Sequence, residues 1–593
     1  MNIWKVRKSK NDYNKTAEAF GVSNAFAKVL SDIEMDTLDL YEKYTNPALK
    51  NIGNFTDSKD LDLVCDTIKK FVEKGEKITF FSDYDCDGVT STTIAYKAFK
   101  EIFPMGNIEY FVPHRVYDGY GLNIESIKEL SKLETKLLIT LDNGITALKE
   151  IDFANELGMT VLILDHHEVL LEDNGNEILP KALGILDSKQ KTCNYSFKHL
   201  CTAGLVYLFS HYLAKKNNVK LVSSSELLQF ATIGTVVDIV DLTKDNKIIV
   251  KKGLESLNNG VINLGLKKLM EVAGFSKEIN EITLGFVIGP MINSIGRLDH
   301  AKKAVELFLT DDETLAKNLA EEIFNANINR KALTDNSLNS VEKIIIENEF
   351  YKDDIIVVYD KDIHESLAGN IASKIKDKYN KPTFVITRGE GCAKGSARGI
   401  EVYDIVEGMT KCSTLLNKFG GHKLAGGFSL REEKIFDFRK KLNDDTNFSP
   451  EDFLKEIYVN KIIDLNEATY ELYCELQKLS PFGKGNEAPI FASLNTKVVA
   501  VRYDEAKRYF KLEVIDKSIK YSMTVIAFGE NEKFKNMIFE KYGEYEGEKI
   551  LGGVLRKVEI FLDIVYNIDI NIFNNNTTIQ LKPIDFRFSN MNK

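Results

Sequence analysis

The stretch FFSDYDCDGVTSTTIAYKAF (80–99) sets Asp83, Asp85 and Asp87 within five residues, between an apolar run and a helical pattern. Carboxylates this close repel one another, so the cluster asks for a cation among them. Further along, LDHHEV (164–169) places Asp165, His166 and His167 at the end of an apolar run. LDNGI adds Asp142, and GTVVDIVDL adds Asp238 and Asp241. Hard carboxylates mixed with imidazole suit manganese or iron(II) better than calcium, and the lack of thiolates disfavours zinc. So many ligands exceed the need of one ion; the economical reading is two divalent ions about 3.5–4 Å apart, able to clamp a phosphoryl centre and generate hydroxide. Each piece alone has a plainer explanation, since Asp is favoured at helix caps and in turns. Jointly the strand-end acids leave that explanation weak.

Basic and glycine-rich pieces supply the other half of a phosphate site. VPHRVYDGYGL offers Arg115 and a tight turn, GPMINSIGRL offers Asn293 and Arg297, KGSARG offers Lys394, Ser396 and Arg398, and FGGHKLAGG offers His422 with exposed amides. Glycine lets the backbone approach phosphate oxygens, and Arg holds them in bidentate fashion. Near the C-terminus Arg502, Tyr503, Lys507, Arg508, Tyr509 and Phe510 interleave cations with aromatics, the composition of a single-strand groove.

These residues need elements to hold them. Between 77 and 190 the runs KITFF, NIEYFV, KLLITL, TVLIL and ALGIL alternate with helical patterns, the signature of βαβ units and a parallel sheet. Ligands of such sheets bind beyond the carboxyl ends of the strands, where Asp83, Asp85, Asp87, Asp142, Asp165 and Asp187 all fall. Residues 311–350 lack Gly and Pro and carry helical spacing, which predicts a long connecting helix. A second α/β stretch follows, and after about 450 the texture becomes β-rich: TKVVAVRYD, RYFKLEVID, YSMTVIAFG, KILGGVLRKVEIF and LDIVYNIDINIF predict the strands of a small OB-type barrel, with FNNNTT as a hairpin turn.

At 593 residues the chain exceeds one hydrophobic core, and its 44% apolar and 28% charged residues read as soluble and globular. No apolar run approaches a membrane span, and the first fifteen residues lack the apolar core of a secretory leader. Seven cysteines without a CxxC pair argue against a disulfide framework or structural zinc and fit a reducing, cytoplasmic compartment. The net charge of −10 argues against a protein that coats nucleic acid, though not against an enzyme that acts on it, since bound cations offset acidic site residues.

SDYDCDG, LDNGI, LDHHE and GTVVDIVDL together resemble the metal motifs of the DHH phosphoesterase superfamily, named for the residues standing here as Asp165, His166 and His167. VYDGYGL, INSIGRLDHA, IHESLAGNIASKI, KGSARG, KFGGHKLAGG and LSPFGKGNEAPIF follow in the order of its single-strand-specific DNA exonucleases, over almost the whole chain. The resemblance implies an α/β multidomain protein: a parallel-sheet DHH catalytic domain with an N-terminal helical region (1–315), a connecting helix (316–350), a DHHA1-type substrate-binding domain (351–448) and a C-terminal OB-fold β-barrel (449–593). It implies 5′→3′ removal of mononucleotides from single-stranded DNA in recombination and repair, with two divalent ions, manganese preferred or magnesium. It implies Asp85, Asp87, Asp142, His166 and Asp238 as metal ligands, Asp142 as the bridge, Asp83 and Asp165 as ligands or orienting groups, and His167 at a metal or the scissile phosphate. Arg115, Asn293, Arg297, His364, Ser396, Arg398, Gly421 and His422 fall at substrate-binding positions. The chain departs from the pattern at Met291 (for Arg), Gly426 (for Ala), Gly399 (for Ser), Thr202 (for Gly) and Ile363 (for Trp), none of them a ligand. Expected partners are single-stranded DNA, a single-strand-binding protein and a RecQ-type helicase, with no membrane, for a monomer. The rivals are a DHH phosphodiesterase of short oligonucleotides or cyclic dinucleotides, against which the extra barrel argues, and a noncatalytic scaffold in a replication or repair complex, against which the complete acidic motifs argue.

Overall fold

The computed structural model describes residues 2–9, 11–115, 119, 121–556, 558–574 and 576–589. The chain divides into two compact units, one of Ala48–Phe453 with Gly483–Gly485, the other of Met1–Pro47, Leu454–Phe482 and Asn486–Lys593.

In the first unit the five apolar runs form a wholly parallel sheet: β1 (Ile78–Ser82), β2 (Ile108–Phe111), β3 (Leu137–Leu141), β4 (Thr160–Leu164) and β5 (Gly184–Leu186), in the order β2-β1-β3-β4-β5. β1 and β3 are buried at every position, which is why they read as continuous apolar runs rather than alternating ones. Successive residues serve opposite faces: Phe80, Ile139 and Leu162 join one core, Phe81, Leu138 and Ile163 the other. The strand order reverses between β1 and β3, the switch point where a doubly wound sheet opens a crevice. Helices α1 (Cys86–Ile102), α2 (Thr202–Lys216), α3 (Ser224–Val237) and α4 (Gly289–Leu298) surround that end, with α2 and α3 packed on α1. Helix α5 (Glu313–Glu347) runs for 35 residues into the second α/β layer.

That layer is a mixed sheet of β6 (Ile356–Tyr359), β7 (Thr383–Arg388), β8 (Ala393–Arg398), β9 (Leu416–His422) and β10 (Ala425–Leu430), ordered β9-β10-β8-β7-β6, with β6 and β7 parallel. KGSARG and FGGHKLAGG, read from sequence as phosphate-cradling loops, are strand β8 and the β9–β10 hairpin. Their amides serve the ladder, and Gly395 clears space. A Cβ on Gly395 would meet the Phe428 ring at 2.2 Å.

In the other unit β11 (Phe491–Asp504), β12 (Tyr509–Ile515), β13 (Met523–Phe528), β14 (Ile560–Phe573) and β15 (Asn576–Phe588) close into a five-stranded barrel, since β11 pairs both β12 and β14. This is the OB-type barrel, with Phe573 paired to Asn576 where β14 gives way to β15; Asn575 of FNNNTT lies outside the described residues. KILGGVLRKVEIF is not a strand: the helix Asn531–Leu551 ends inside it at Gly552, and β14 starts only at Ile560. The first 47 residues group here, not with 48–315 as expected. Strand Ile3–Val6 pairs in parallel with Glu456–Val459, and Phe26, Val29 and Leu30 of helix Asn24–Asp32 enter the core beside Ile463, Leu472 and Phe491. Position in the chain does not say which core an amphipathic helix joins. No helix among the described residues is long and apolar enough to cross a membrane.

Candidate metal centre and substrate groove

The plainer reading of the DYDCD loop is partly true, because Asp85 caps α1: its Oδ1 accepts from the N–H groups of Asp87 (3.0 Å) and Gly88 (3.1 Å). More than a cap holds the loop, however. Asn293 Oδ1 on α4 accepts from the Cys86 N–H at 2.9 Å, and Gly296 lets α4 approach until a Cβ there would meet the Tyr84 carbonyl oxygen at 2.5 Å. A Cβ on Gly88 would meet the Asp83 carbonyl oxygen at 2.2 Å, so the turn itself demands glycine.

Beyond the β3 end, Asp142 adopts the left-handed backbone (φ 64°), which Asp tolerates better than most residues. Its Oδ1 lies 3.2 Å from His166 Nε2 at the end of β4. His166 Nε2 is also 3.6 Å from Asp238 Oδ2 and 3.8 Å from Asp87 Oδ2. Asp87 is gripped by the start of α2, whose Thr202 and Ala203 N–H groups donate to its two oxygens at 2.7 and 2.8 Å. Three groups of donor atoms fall within 4.8 Å of one another: Asp142, His166 and His167; Asp87, His166 and Asp238; Asp83, Asp85 and Asp142. Asp142 and His166 each belong to two of them. Asp165 is committed elsewhere, accepting from the N–H groups of Ile145, His166 and His167 while its Oδ1 lies 2.7 Å from His167 Nδ1.

The electrostatics match a cation site. Burial and the neighbouring carboxylates raise Asp83, Asp142 and Asp87 above the usual range and push Asp238 to about 8. Burial lowers His166, whereas the bond to Asp165 outweighs burial at His167 and raises it to about 9; Asp165 falls to about 2. Asp83 Oδ1 is buried with no hydrogen-bond partner, an atom that only a cation or a proton satisfies. Overlapping donor groups, hard oxygen and imidazole ligands, and an orphaned carboxylate oxygen fit two divalent ions.

Next to this centre in the same unit lies a groove of about 590 Å³ lined by Tyr84, Arg115, Lys394, Ser396, Lys418 and Phe419 among others. Arg115 lies 4.8 Å over the Tyr84 ring, and Lys394 pairs with Glu365 at 2.9 Å. Arg398 is largely buried beneath Gly369, where a Cβ would come within 2.9 Å of its Nη2 and 3.5 Å of Ser396 Oγ. Of the other expected substrate contacts, Asn293 is engaged by the Cys86 N–H, and Arg297 donates to the Ser366 carbonyl oxygen at 2.7 Å. His364 caps its own turn through Ser366, and Gly421 and His422 lie exposed at the β9–β10 turn. Val116, Tyr117, Asp118 and Tyr120 of the VYDGYGL motif lie outside the described residues. Sequence reasoning missed Tyr84 as a groove residue and Thr202 as a contact of Asp142, whose Oδ1 its hydroxyl reaches at 3.1 Å. Tyr84 is a lone aromatic set among the odd-numbered acids, and the residues around Thr202 carry no sign of its acceptor.

Family models match three stretches: DHH family, N-terminal domain, at 77–235; DHHA1 domain at 352–447; and RecJ OB domain at 459–585. The single-stranded-DNA-specific exonuclease RecJ of Bacillus subtilis (strain 168) is 31% identical over 540 residues, 89% of this chain and 66% of that protein. Its namesake from Haemophilus influenzae is 28% identical over 573 residues, covering 92% of this chain and 94% of the other. The crystal structure of RecJ in complex with Mn2+ from Thermus thermophilus superposes with a TM-score of 0.79 at 22% identity, over 99% of this chain and 79% of that one.

Proposed function

Because the chain belongs to the RecJ family of DHH phosphoesterases, we propose that it is a divalent-metal-dependent exonuclease that removes mononucleotides from single-stranded DNA in the 5′→3′ direction, in recombination and repair. The observation that carries this reading is the set of three donor groups, linked one to the next through His166 and Asp142, at the switch point of the sheet, beside a cationic groove.

In this reading Asp83, Asp85, Asp87, Asp142, His166 and Asp238 would hold two ions, manganese by preference or magnesium, and Asp142 is common to two of the donor groups. When bound, the ions supply the charge that polarises a phosphodiester and acidifies the attacking water. The chain does the rest. Asp85 and the α2 amides fix the loop and Asp87, so the ligands do not reorganise as charge builds. His167, oriented through its Nδ1 contact with Asp165 and lying beside Asp142 and His166, is the group placed to stabilise charge on the leaving oxygen or to protonate it. Arg115, Lys394, Ser396 and Lys418 hold the strand in the groove, and Tyr84 with Phe419 gives its bases apolar surface. Arg297 and Asn293 support the groove from inside.

The first 47 residues set aside, residues up to 315 carry the chemistry, 316–350 connect, 351–448 bind the strand end, and 449–593 bind the trailing strand. The partners we propose are single-stranded DNA, a single-strand-binding protein and a RecQ-type helicase, for a cytoplasmic monomer. The test is a time course with manganese on a single strand about 40 nucleotides long labelled at its 3′ end, beside the matching duplex and a dinucleotide. A ladder shortening from the 5′ side on the single strand alone supports the reading; hydrolysis of the dinucleotide only, or of none, overturns it.

A further inference from the structure

We propose that Thr202 is a positioning residue of the metal centre, whose hydroxyl orients the Asp142 carboxylate and so sets the affinity of the site for divalent ions. The proposal rests on the reading of Asp142 as a metal ligand.

Thr202 is the first residue of α2 and is fully buried. The first N–H groups of a helix lack partners inside it, and here two of them, from Thr202 and Ala203, go to the oxygens of Asp87. The cap position belongs to Cys201, whose sulfur accepts from the Gly204 N–H, so the Thr202 hydroxyl has no capping duty. A buried hydroxyl still needs an acceptor for its proton, and that acceptor is Asp142 Oδ1 at 3.1 Å.

One residue thus touches two carboxylates that belong to different donor groups, Asp87 by its amide and Asp142 by its side chain. The other contact of Asp142 Oδ1, His166 Nε2 at 3.2 Å, is itself a ligand candidate. Once a cation takes that imidazole, the hydroxyl is the donor that stays with the carboxylate. It occupies one lone pair of Oδ1 and leaves the remaining lone pairs to metal. Groups that orient a ligand from behind tune affinity strongly without touching the ion.

The substitutions separate this contact from the backbone grip on Asp87, which every variant retains. Thr202→Val keeps the shape and loses the donor, Thr202→Ala loses the donor without added bulk, and Thr202→Ser keeps the donor. The readout is the affinity of the full-length, metal-stripped protein for manganese, measured by the loss of the free-ion electron paramagnetic resonance signal, with melting in EDTA to report folding. The expected result is binding weakened about tenfold or more in the Val and Ala variants, with the Ser variant within about twofold of wild type and metal-free melting little changed. Wild-type affinity in Thr202→Val or Thr202→Ala overturns the proposal, as does a Ser variant as weak as Ala. Asp142→Asn separates the two levels: if it too binds manganese normally, Asp142 is not a ligand and the underlying reading falls first.

Discussion

His167 Nδ1 lies 2.7 Å from Asp165 Oδ1, and Asp165 accepts from three backbone N–H groups as well. The two titrations move apart, with Asp165 near 2 and His167 near 9, so the pair is an ion pair at neutral pH. Replacing the carboxylate by an amide removes the charge that raises the imidazole while leaving its burial in place. Asp165→Asn is therefore expected to bring the His167 titration down by more than one pH unit, followed by the imidazole proton resonances of the metal-free protein. Activity is expected to fall by about 10–100-fold, the usual cost of losing a group that orients a site residue. An unmoved His167 titration would mean that Asp165 does not control it.

The α2–α3 approach leaves no room behind Asp87. A Cβ on Gly234 would lie 2.5 Å from Ala203 Cβ, 2.7 Å from Thr90 Oγ1 and 2.9 Å from Asp87 Oδ1. Gly234→Ala is expected to cost about 1–3 kcal/mol of stability, the range for overpacking a core. It is also expected to weaken manganese binding, because the strain falls on a ligand. Gly285→Ala is the control, since its Cβ would meet only Val236 at 3.8 Å. Denaturant melts and metal titrations of the two variants should diverge clearly.

The acids at strand ends were legible because parallel strands carry their carboxyl ends to one edge, so sequence neighbours of β1, β3 and β4 become site neighbours whatever the helices do. What was not legible depends on packing between distant segments. Asn293 meets Cys86 across 207 residues and Thr202 meets Asp142 across 60. Gly395 of β8 looks like a loop glycine until Phe428 is seen to need the space, and Gly426 of β10 until Met409 and Ile405 are. KILGGV has strand composition, yet the preceding turns of helix run into it and Gly552 ends them.

Metal binding must discharge the raised carboxylates, which fixes the sign of its pH dependence. Asp238 at about 8 stays protonated in the metal-free fold over a range where the unfolded chain has already ionised. That proton stabilises the metal-free fold at low pH, and the stabilisation is lost as pH rises through 8. His167, raised to about 9, acts in the same direction between about 6.5 and 9. Buried Lys247, lowered to about 6, acts in the opposite sense but contributes equally with and without metal. The difference in melting temperature between manganese-loaded and metal-free protein should therefore be larger at pH 8 than at pH 5.5. Affinity should rise by about tenfold per pH unit for each proton released. A metal-induced shift that is flat across this range would mean the carboxylates are already ionised without metal.

Arg297, expected at the phosphate, has a partner inside the protein. Its Nη1 donates to the Ser366 carbonyl oxygen at 2.7 Å, linking α4 to the segment that precedes the β6–β10 sheet's helix. Burial lowers its titration to about 10, so it is still charged at neutral pH. Arg297→Met is expected to cost about 1–3 kcal/mol, the penalty for an unmet buried carbonyl. Hydrolysis of short and long strands should fall by the same factor. A loss confined to KM for long strands, at unchanged stability, would return Arg297 to the strand.

The interleaved cations and aromatics of the barrel sort by strand alternation. Phe510 points inward and is buried, stacked on Phe534, whereas Tyr509 and its neighbour Phe528, 66% exposed, present their rings outward at a centroid separation of 5.9 Å. One pair further along the same outer face, Arg502 stands opposite Lys511. A ring pair beside two cations stacks bases and meets phosphates without reading sequence. Tyr509→Ala and Phe528→Ala are each expected to weaken single-strand binding by about 1–3 kcal/mol, the range for one lost stacking partner. Phe510→Ala should instead unfold the barrel, since it removes a core ring. The chemical step is built on other residues, so turnover of a strand too short to reach the barrel should be unchanged in both surface variants. Filter binding on a long strand beside hydrolysis of a short one separates these outcomes. An equal loss on both lengths would mean that the rings support the fold rather than the strand.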